Sequence, residues 1–201
     1  MKSVPPSRYL VFSLLAVLGC LLDLGTKSWI FARLGMPGEQ DVWWLWQGVF
    51  GFQTSLNEGA LFGIGQGQVQ FFAIMSLVAG VVICLWLFVA GAAKDWLVTV
   101  ACGLIFAGIL GNLYDRLGMP ALVWNYANDL HAVGDHVYAV RDWLLVMIGS
   151  YHWPNFNLAD SMLVCGAGLI IVQVVFFDKK PDAQPSNRAQ KTESGSKSES
   201  D

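Results

Sequence analysis

Four stretches of about 20 predominantly apolar residues constrain this chain more than any other feature. They cover approximately residues 9–30, 69–92, 96–114 and 158–177. An α-helix of about 20 apolar residues is long enough to cross the roughly 30 Å hydrocarbon layer of a membrane. The composition agrees, because 55% of the residues are hydrophobic and only 13% are charged, which excludes a typical soluble domain. We therefore predict an all-α membrane protein with four transmembrane helices.

The distribution of Lys and Arg predicts the orientation of these helices. Cationic flanks of membrane spans tend to remain in the cytoplasm. Most of the Lys and Arg residues lie near the two chain ends or in the short turn at 91–95. We therefore expect both termini and this turn to be cytoplasmic. The two long connections, residues 32–68 and 115–157, are then expected outside.

The chain divides into a membrane domain and a polar tail. Residues 1–178 contain the four spans, whereas residues 179–201 are rich in Ser, Lys, Glu and Pro and predict a disordered cytoplasmic tail. In the first outer connection, residues 49–56 alternate in polarity and are rich in aromatic side chains. This pattern predicts a short strand or small extracytoplasmic β-cradle between the first and second spans. The tryptophans just before it fit an interfacial aromatic belt.

Polar and ionisable residues collect at the outer ends of the spans. Asp23 and Lys27 lie near the outer end of the first span and, being four residues apart, share one helical face. Asn112, Asp115 and Arg116 reach the outer end of the third span. Helix capping and snorkelling would explain some of them individually. An ionisable group in hydrocarbon is costly, however, and indicates a functional site.

Two further aspartates approach the same layer. Asp142 lies just ahead of the last apolar run, and Asp160 lies inside it, three residues after Asn157. Asn57 and Gly59 belong to the first outer connection. Helix-dipole or turn chemistry accounts for each of these alone. Their convergence favours chemistry at one membrane face, because neighbouring carboxylates can share a proton and act as acid and base.

Other functions have weaker support. The alternative hypothesis is a small proton-coupled transporter that uses membrane carboxylates, but it requires polar residues through the whole bilayer. Residues 73–84 and 163–171 contain almost none. The sequence also lacks the metallopeptidase, serine-hydrolase and phosphate-loop motifs. We expect His131, His136 and His152 to be solvated loop residues, and we predict no metal, no cofactor and no nucleic-acid partner.

Five short blocks, in order along the chain, resemble the signature of lipoprotein signal peptidases, the signal peptidase II family. The blocks are Asp23-Leu-Gly-Thr-Lys27, Asn57-Glu-Gly-Ala-Leu-Phe62, Gly111-Asn-Leu-Tyr-Asp-Arg116, Val140-Arg-Asp142-Trp and Phe156-Asn-Leu-Ala-Asp160-Ser. The resemblance implies an aspartic endopeptidase of the bacterial cytoplasmic (inner) membrane, with its active site at the outer leaflet. Such an enzyme removes the signal peptide from diacylglyceryl-modified prolipoproteins, cutting immediately before the lipidated Cys.

The same resemblance implies residue roles and partners. Asp142 and Asp160 match the catalytic pair of the family. Supporting or substrate-binding positions would be Asp23, Lys27, Asn57, Gly59, Asn112, Asp115, Arg116, Asn157 and Ala159. Diacylglyceryl-prolipoproteins and membrane lipids would be the partners, and we expect a monomer.

The chain departs from the family between residues 117 and 140, where its connection is longer than usual. Asp115, Asp129 and Asp135 therefore compete with Asp142 for the role of the first catalytic aspartate. Asp142 is preferred because the apolar continuation Trp143-Leu-Leu-Val follows it, as is usual in the family.

Overall fold

The structure, a computed structural model, describes residues 3–59 and 65–177 and contains four long helices. These are α1 (Pro6–Leu34), α2 (Val69–Cys84, extended by a π-helical turn at Leu85–Val89), α3 (Trp96–Arg116) and α4 (Leu158–Val172, followed by a π-helical turn at Gln173–Phe177). All four are long and apolar enough to cross a membrane. The predicted four-span membrane protein is confirmed. The predicted tail at 179–201 lies outside the described residues.

Local chemistry sets the helix ends. Gly35 follows α1 with a φ of 74°, a left-handed conformation that glycine adopts without steric cost. Before α3, the Asp95 side chain accepts a hydrogen bond from the Val98 backbone N–H at 3.0 Å. Asn157 and Asp160 form a reciprocal capping box at the start of α4. Two residues expected in the site thus also define a helix terminus.

The helices present large apolar side chains to their surroundings. Exposed examples are Leu10, Leu14, Leu18 and Leu21 in α1, Phe71, Ile74 and Leu77 in α2, and Val164 and Ile171 in α4. Helix α3 is the most buried of the four and packs against each of the others. Apolar surface all round a helix is typical of a membrane span, because hydrocarbon rather than water covers it.

Glycines allow α3 and α4 to approach closely. A Cβ atom on Gly166 would lie 2.6 Å from the Ala101 carbonyl oxygen and 2.6 Å from Ile105 Cγ1. On Gly108, a Cβ atom would lie 2.5 Å from the Ala159 carbonyl oxygen. Small residues at such crossings let helix backbones meet in membranes. This contact brings the first turn of α4 against α3.

Four strands form one antiparallel sheet beside the helix ends. They are β1 (Trp43–Trp46), β2 (Phe50–Asn57), β3 (Val140–Ile148) and β4 (Tyr151–Phe156), in the spatial order β1-β2-β3-β4. The predicted β-cradle is therefore present, but it is larger than expected, because the second long connection supplies β3 and β4. Sequence reasoning missed β3 because its residues 143–148 form a continuous apolar run, in which polar and apolar side chains do not alternate.

Asp142 lies within β3 rather than in the loop where we expected it. It pairs with Ser55 of β2, next to a break in strand register between Phe52 and Ser55. The buried Trp143 and Leu144 pack with Ile30 and Leu34 of α1. The sheet is therefore fixed to the bundle by its apolar side chains, and Asp142 is placed by a rigid element.

The remaining part of the second connection, residues 118–139, folds back on itself and is called the 118–139 loop below. The backbone N–H of Trp124 donates to Asp135 at 2.9 Å, and that of Val137 donates to Leu122 at 2.9 Å. Trp124 and Val137 are buried in a small cluster with Met36. The loop is therefore an ordered part of the fold.

The close contact of α3 and α4 predicts a contrast between two glycines of the same helix. Gly166→Ala should lower the free energy of unfolding by about 1–3 kcal/mol, the usual cost of overpacking. Gly168→Ala is the matched control, because nothing lies within 4 Å of its Cβ position, and alanine favours helix by about 1 kcal/mol. Thermal unfolding in detergent measures both. Equal midpoints for the two variants would contradict this account of the packing.

Candidate active site

Asn157 links the two candidate aspartates. Its Nδ2 donates to Asp142 Oδ1 at 2.6 Å, and its Oδ1 accepts from the Asp160 backbone N–H at 2.9 Å. The Asn157 backbone N–H returns a bond to Asp160 Oδ2 at 3.2 Å. Asn157 is fully buried. One capping residue therefore bonds both carboxyl groups and brings them together.

Asp142 is the more buried member of the pair. Only 2% of the residue is exposed. Burial, followed by the nearby Asp160 carboxylate, raises the pKa of Asp142 from 3.8 to about 8, and hydrogen bonds from Asn157 and Asn57 oppose the rise only in part. Both effects disfavour the ionised form. Asp142 is therefore the group that retains a proton near neutral pH.

Asp160 has a more polar environment. Its Oδ1 accepts from Asn112 Nδ2 at 2.8 Å, and Arg116 attracts its charge electrostatically. The residue is half-buried and lines an open cavity. Asp160 is therefore the more accessible of the two aspartates, and an amide donor and a cation lie beside it.

Lys27 lies behind this pair with its ammonium group fully buried. Its Nζ is 2.9 Å from Asn112 Oδ1, 2.7 Å from Asp23 Oδ2 and 3.1 Å from Asp115 Oδ2. The contact with Asn112 is a hydrogen bond, and the contacts with Asp23 and Asp115 are ion pairs, so two carboxylates compensate the buried charge. The predicted Asp23–Lys27 pair is present.

Arg141 completes the buried charge cluster. Its Nε donates to Asp115 Oδ1 at 2.9 Å, and its backbone N–H donates to Asp115 Oδ2 at 3.0 Å. Two cations, Lys27 and Arg141, therefore face two carboxylates, Asp23 and Asp115. Sequence reasoning missed the role of Arg141. The alternation of side chains along a strand could have indicated this role. Arg141 is the neighbour of Asp142 in β3, so the two side chains point to opposite faces of the strand.

Arg116 joins the site to the end of β2. One terminal guanidinium nitrogen donates to the Gly59 carbonyl oxygen at 3.2 Å, and the Gly59 backbone N–H donates to Asn57 Oδ1 at 3.0 Å. Arg116 also interacts electrostatically with Asp142 and Asp160. A pair of aspartates that shares one proton has a single negative charge, which this cation balances.

An open cavity of about 660 Å³ reaches the aspartates between the sheet, α3 and α4. Its polar end includes Asn57, Asn112, Arg116, Asp142 and Asp160. Gly108, Ile109, Leu163, Val164 and Ala167 form part of its apolar walls. The cavity therefore combines two carboxyl groups with apolar walls, which suits a ligand that has both a polar group and apolar chains.

Comparison with known proteins identifies the family. The family model described as "Signal peptidase (SPase) II" matches residues 15–176. The chain belongs to the signal peptidase II family. A lipoprotein signal peptidase of Rhodopirellula baltica is 44% identical over 184 residues, covering 90% of this chain and 78% of that protein. One from Bacillus pumilus is 32% identical over 171 residues, covering 84% and 95%.

Solved structures share the fold. One described as a bacterial membrane enzyme superposes with a TM-score of 0.67 at 25% identity and covers 91% of this chain and 98% of its own. A second with the same description gives a TM-score of 0.65 at 26% identity, covering 88% and 97%. This family member is thus a multi-pass bacterial membrane peptidase. The alternative, a proton-coupled transporter, finds no support in these comparisons.

The predicted site residues occupy two layers of the structure. Five of them line the cavity, namely Asn57, Asn112, Arg116, Asp142 and Asp160. The others lie around or behind it. Asp23 accepts from the Ala159 backbone N–H at 2.9 Å, so these two residues join α1 to α4. Their positions suit a supporting role.

The competing aspartates are placed differently from Asp142. Asp115 is bound by Lys27 and Arg141 and does not line the cavity. Asp129 and Asp135 are exposed in the 118–139 loop. Asp135 accepts from the Ala132 backbone N–H at 2.7 Å. The geometry therefore favours Asp142 as the partner of Asp160.

The histidines match only in part the solvated loop residues that we expected. His131 stacks on Trp124 and bonds Glu58. His152 lines the cavity and lies 3.2 Å from Gln53 Oε1 through its Nε2. Only His136 is both exposed and bonded within its own loop, to the Gly118 carbonyl oxygen at 3.1 Å. The expectation was wrong for His131, because its partner lies 73 positions away in the chain.

Removal of the buried ammonium group should destabilise the fold. Lys27→Met leaves Asp23 without its counter-ion in an apolar environment. Breaking a buried ion pair from one side costs about 3–5 kcal/mol. Lys94→Met is the control, because Lys94 is exposed in the turn between α2 and α3. Unfolding by denaturing detergent gives the free energy difference, and a loss below about 1 kcal/mol would contradict the assigned role of Lys27.

Proposed function

We propose that this signal peptidase II family member is an aspartic endopeptidase that acts on diacylglyceryl-modified prolipoproteins. It removes the signal peptide by cutting immediately before the lipidated Cys. The observation that supports this most strongly is the bridge of Asn157 between Asp142 and Asp160. The bridge joins two carboxyl groups that line a cavity with apolar walls, and this pairing supports an acid–base mechanism.

Each aspartate has a distinct role in the proposed reaction. Asp160, with hydrogen-bond donors and Arg116 nearby, is the carboxylate that deprotonates a water molecule. Asp142, with its raised pKa, is the acid that donates a proton to the oxygen of the scissile carbonyl group. Positioned proton transfers of this kind each contribute on the order of 10²- to 10⁴-fold to a rate.

The proton balance closes over one turnover. Water adds to the carbonyl carbon, its proton passes to Asp160, and the proton of Asp142 passes to the carbonyl oxygen. The resulting tetrahedral diol then breaks its C–N bond. Asp160 gives its proton to the leaving amine, and a hydroxyl of the diol returns a proton to Asp142. The pair ends in the state in which it began.

The substrate's lipid chains are proposed to lie against the helices. The cavity continues along Leu163, Val164 and Ala167 of α4. A second, apolar groove of about 240 Å³ lies between α2 and α3 beside Gly80 and Phe106. Burial of acyl chains contributes about 0.8 kcal/mol per methylene. These surfaces would hold the diacylglyceryl group while the peptide reaches the aspartates.

We further propose that both termini face the cytoplasm and that the active site lies at the outer leaflet of the inner membrane. The excess of Lys and Arg at the other end of the bundle supports this orientation. Membrane lipids would surround the exposed apolar helix faces. In this proposal residues 1–178 act as one monomeric peptidase domain, and residues 179–201 form a cytoplasmic tail.

Loss of either aspartate should abolish cleavage. Asp142→Asn and Asp160→Asn remove a proton donor or acceptor with little change in shape, so kcat should fall by about 10²- to 10⁴-fold or more. Gel-shift processing of a diacylated prolipoprotein by purified enzyme in detergent measures the loss. Asp135→Asn is the control, since Asp135 is exposed and does not line the cavity. If either variant of the pair cleaved at the wild-type rate, the aspartic mechanism would fail.

The raised pKa of Asp142 predicts an alkaline limit to activity. Asp142 is protonated below about pH 8 and becomes ionised above it. Ionisation removes the acid and places two negative charges side by side, so kcat should decrease by about tenfold per pH unit on this limb. A pH–rate profile between pH 6 and about 10 measures it. A rate that continues to rise through this range would contradict the assignment.

A further inference from the structure

The 118–139 loop touches the end of β2 at the rim of the cavity. The Nε2–H group of His131 donates to Glu58 Oε1. Glu58 is buried, with 6% of the residue exposed, although it carries a carboxyl group. A buried carboxylate needs hydrogen-bond donors or a counter-ion. His131 supplies the contact that this carboxylate requires.

His131 is itself held firmly in place. Its ring stacks on Trp124 with the centroids 4.8 Å apart and an interplanar angle of 11°. Its backbone N–H donates to Asn128 Oδ1 at 2.8 Å. Trp124 is 3% exposed and belongs to the small buried cluster of the loop. His131 therefore presents Nε2 to Glu58 from an ordered platform.

Glu58 lies between two residues of the site. Asn57 lines the cavity together with Asp142, and its amide group opposes the rise in the pKa of that aspartate. The Asn57 Oδ1 also accepts from the Gly59 backbone N–H. The Gly59 carbonyl oxygen accepts from Arg116. A displacement of Glu58 would therefore move both the amide that acts on Asp142 and the carbonyl group that orients Arg116.

A second contact fixes the loop to the start of α2. The side chain of Leu130 lies beside Gly67, with Cδ1 3.7 Å from the position of a Cβ atom on that glycine. Gln66, the neighbour of Gly67, lines the cavity. The 118–139 loop thus contacts Glu58 near the beginning and Gly67 near the end of the connection from β2 to α2.

We propose that His131 is a positioning residue for the peptidase reaction, which holds Glu58 and through it the Asn57 amide at Asp142 and the Gly59 carbonyl group at Arg116. The inference rests on the proposed function, since it assumes that Asp142 is catalytic. It assigns the long 118–139 loop a part in catalysis. His131 itself does not line the cavity, so it acts through Glu58.

The test compares kcat and KM for cleavage of a diacylated prolipoprotein by the purified full chain. His131→Ala should lower kcat by about tenfold, the effect of one lost positioning hydrogen bond. KM should stay within about twofold, because the apolar walls that would hold the lipid are unchanged. The groups that interact with Asp142 are Asp160, Lys27, Arg116, Asn57 and Asn157. Weakening the interaction with Asn57 should shift the alkaline limb of the pH profile to higher pH.

Variants of the two partners separate positioning from a general structural role. His131→Gln keeps an N–H donor and should recover part of the lost kcat. Glu58→Ala should match His131→Ala, and the double variant should lose no more than either single one, because all three remove the same contact. His136→Ala is the matched control, since His136 bonds only a carbonyl group near the start of its own loop.

Several outcomes would overturn the inference. These are an unchanged kcat for His131→Ala, a loss confined to KM, or additive losses in the double variant. If His131→Ala does not fold, His131→Phe tests the contact instead, because a phenyl ring can still stack on Trp124 but has no N–H donor. Wild-type kcat and pH profile in that variant would reject the inference. Failure of the proposed function is distinguishable, because Asp142→Asn would then remain active whatever the effect of His131.

Discussion

The buried ammonium group of Lys27 determines how the rest of the site is oriented. Lysine only donates hydrogen bonds, so the oxygen of the Asn112 amide must face it. The Asn112 nitrogen is then left to donate to Asp160. A second amide, from Asn157, continues the series to Asp142. One cation thereby sets the direction of a chain of hydrogen bonds that ends on both aspartates.

Charge balance explains why so many ionisable groups can be buried together. Lys27 and Arg141 offset Asp23 and Asp115 behind the cavity. On the side that lines the cavity, Arg116 would offset the single negative charge of an Asp142–Asp160 pair that shares one proton. An uncompensated charge would be very costly at a membrane edge. The same low-polarity environment raises the pKa of Asp142 and so favours the neutral form of its carboxyl group.

Local patterns predicted a large part of this architecture. The length of the apolar stretches predicted the four helices, and the spacing of four residues predicted the Asp23–Lys27 pair. The order of five motifs indicated the family and nine of the surrounding residues. Strand β3 was missed because a strand buried along most of its length lacks alternation. The contact of His131 with Glu58 was also missed, since no periodicity relates a loop histidine to a carboxylate 73 positions earlier.

The sequence alone determined the membrane class, the helix lengths and the polar residues at one end of the spans, because apolar length and helical spacing are local properties. Only the tertiary structure decided which oxygen faces which donor. Lys27 and Asn112 are 85 positions apart, and Ala159 and Asp23 are 136 apart. Such pairs require α1 to pack against both α3 and α4. Their geometry therefore depends on packing across the whole bundle.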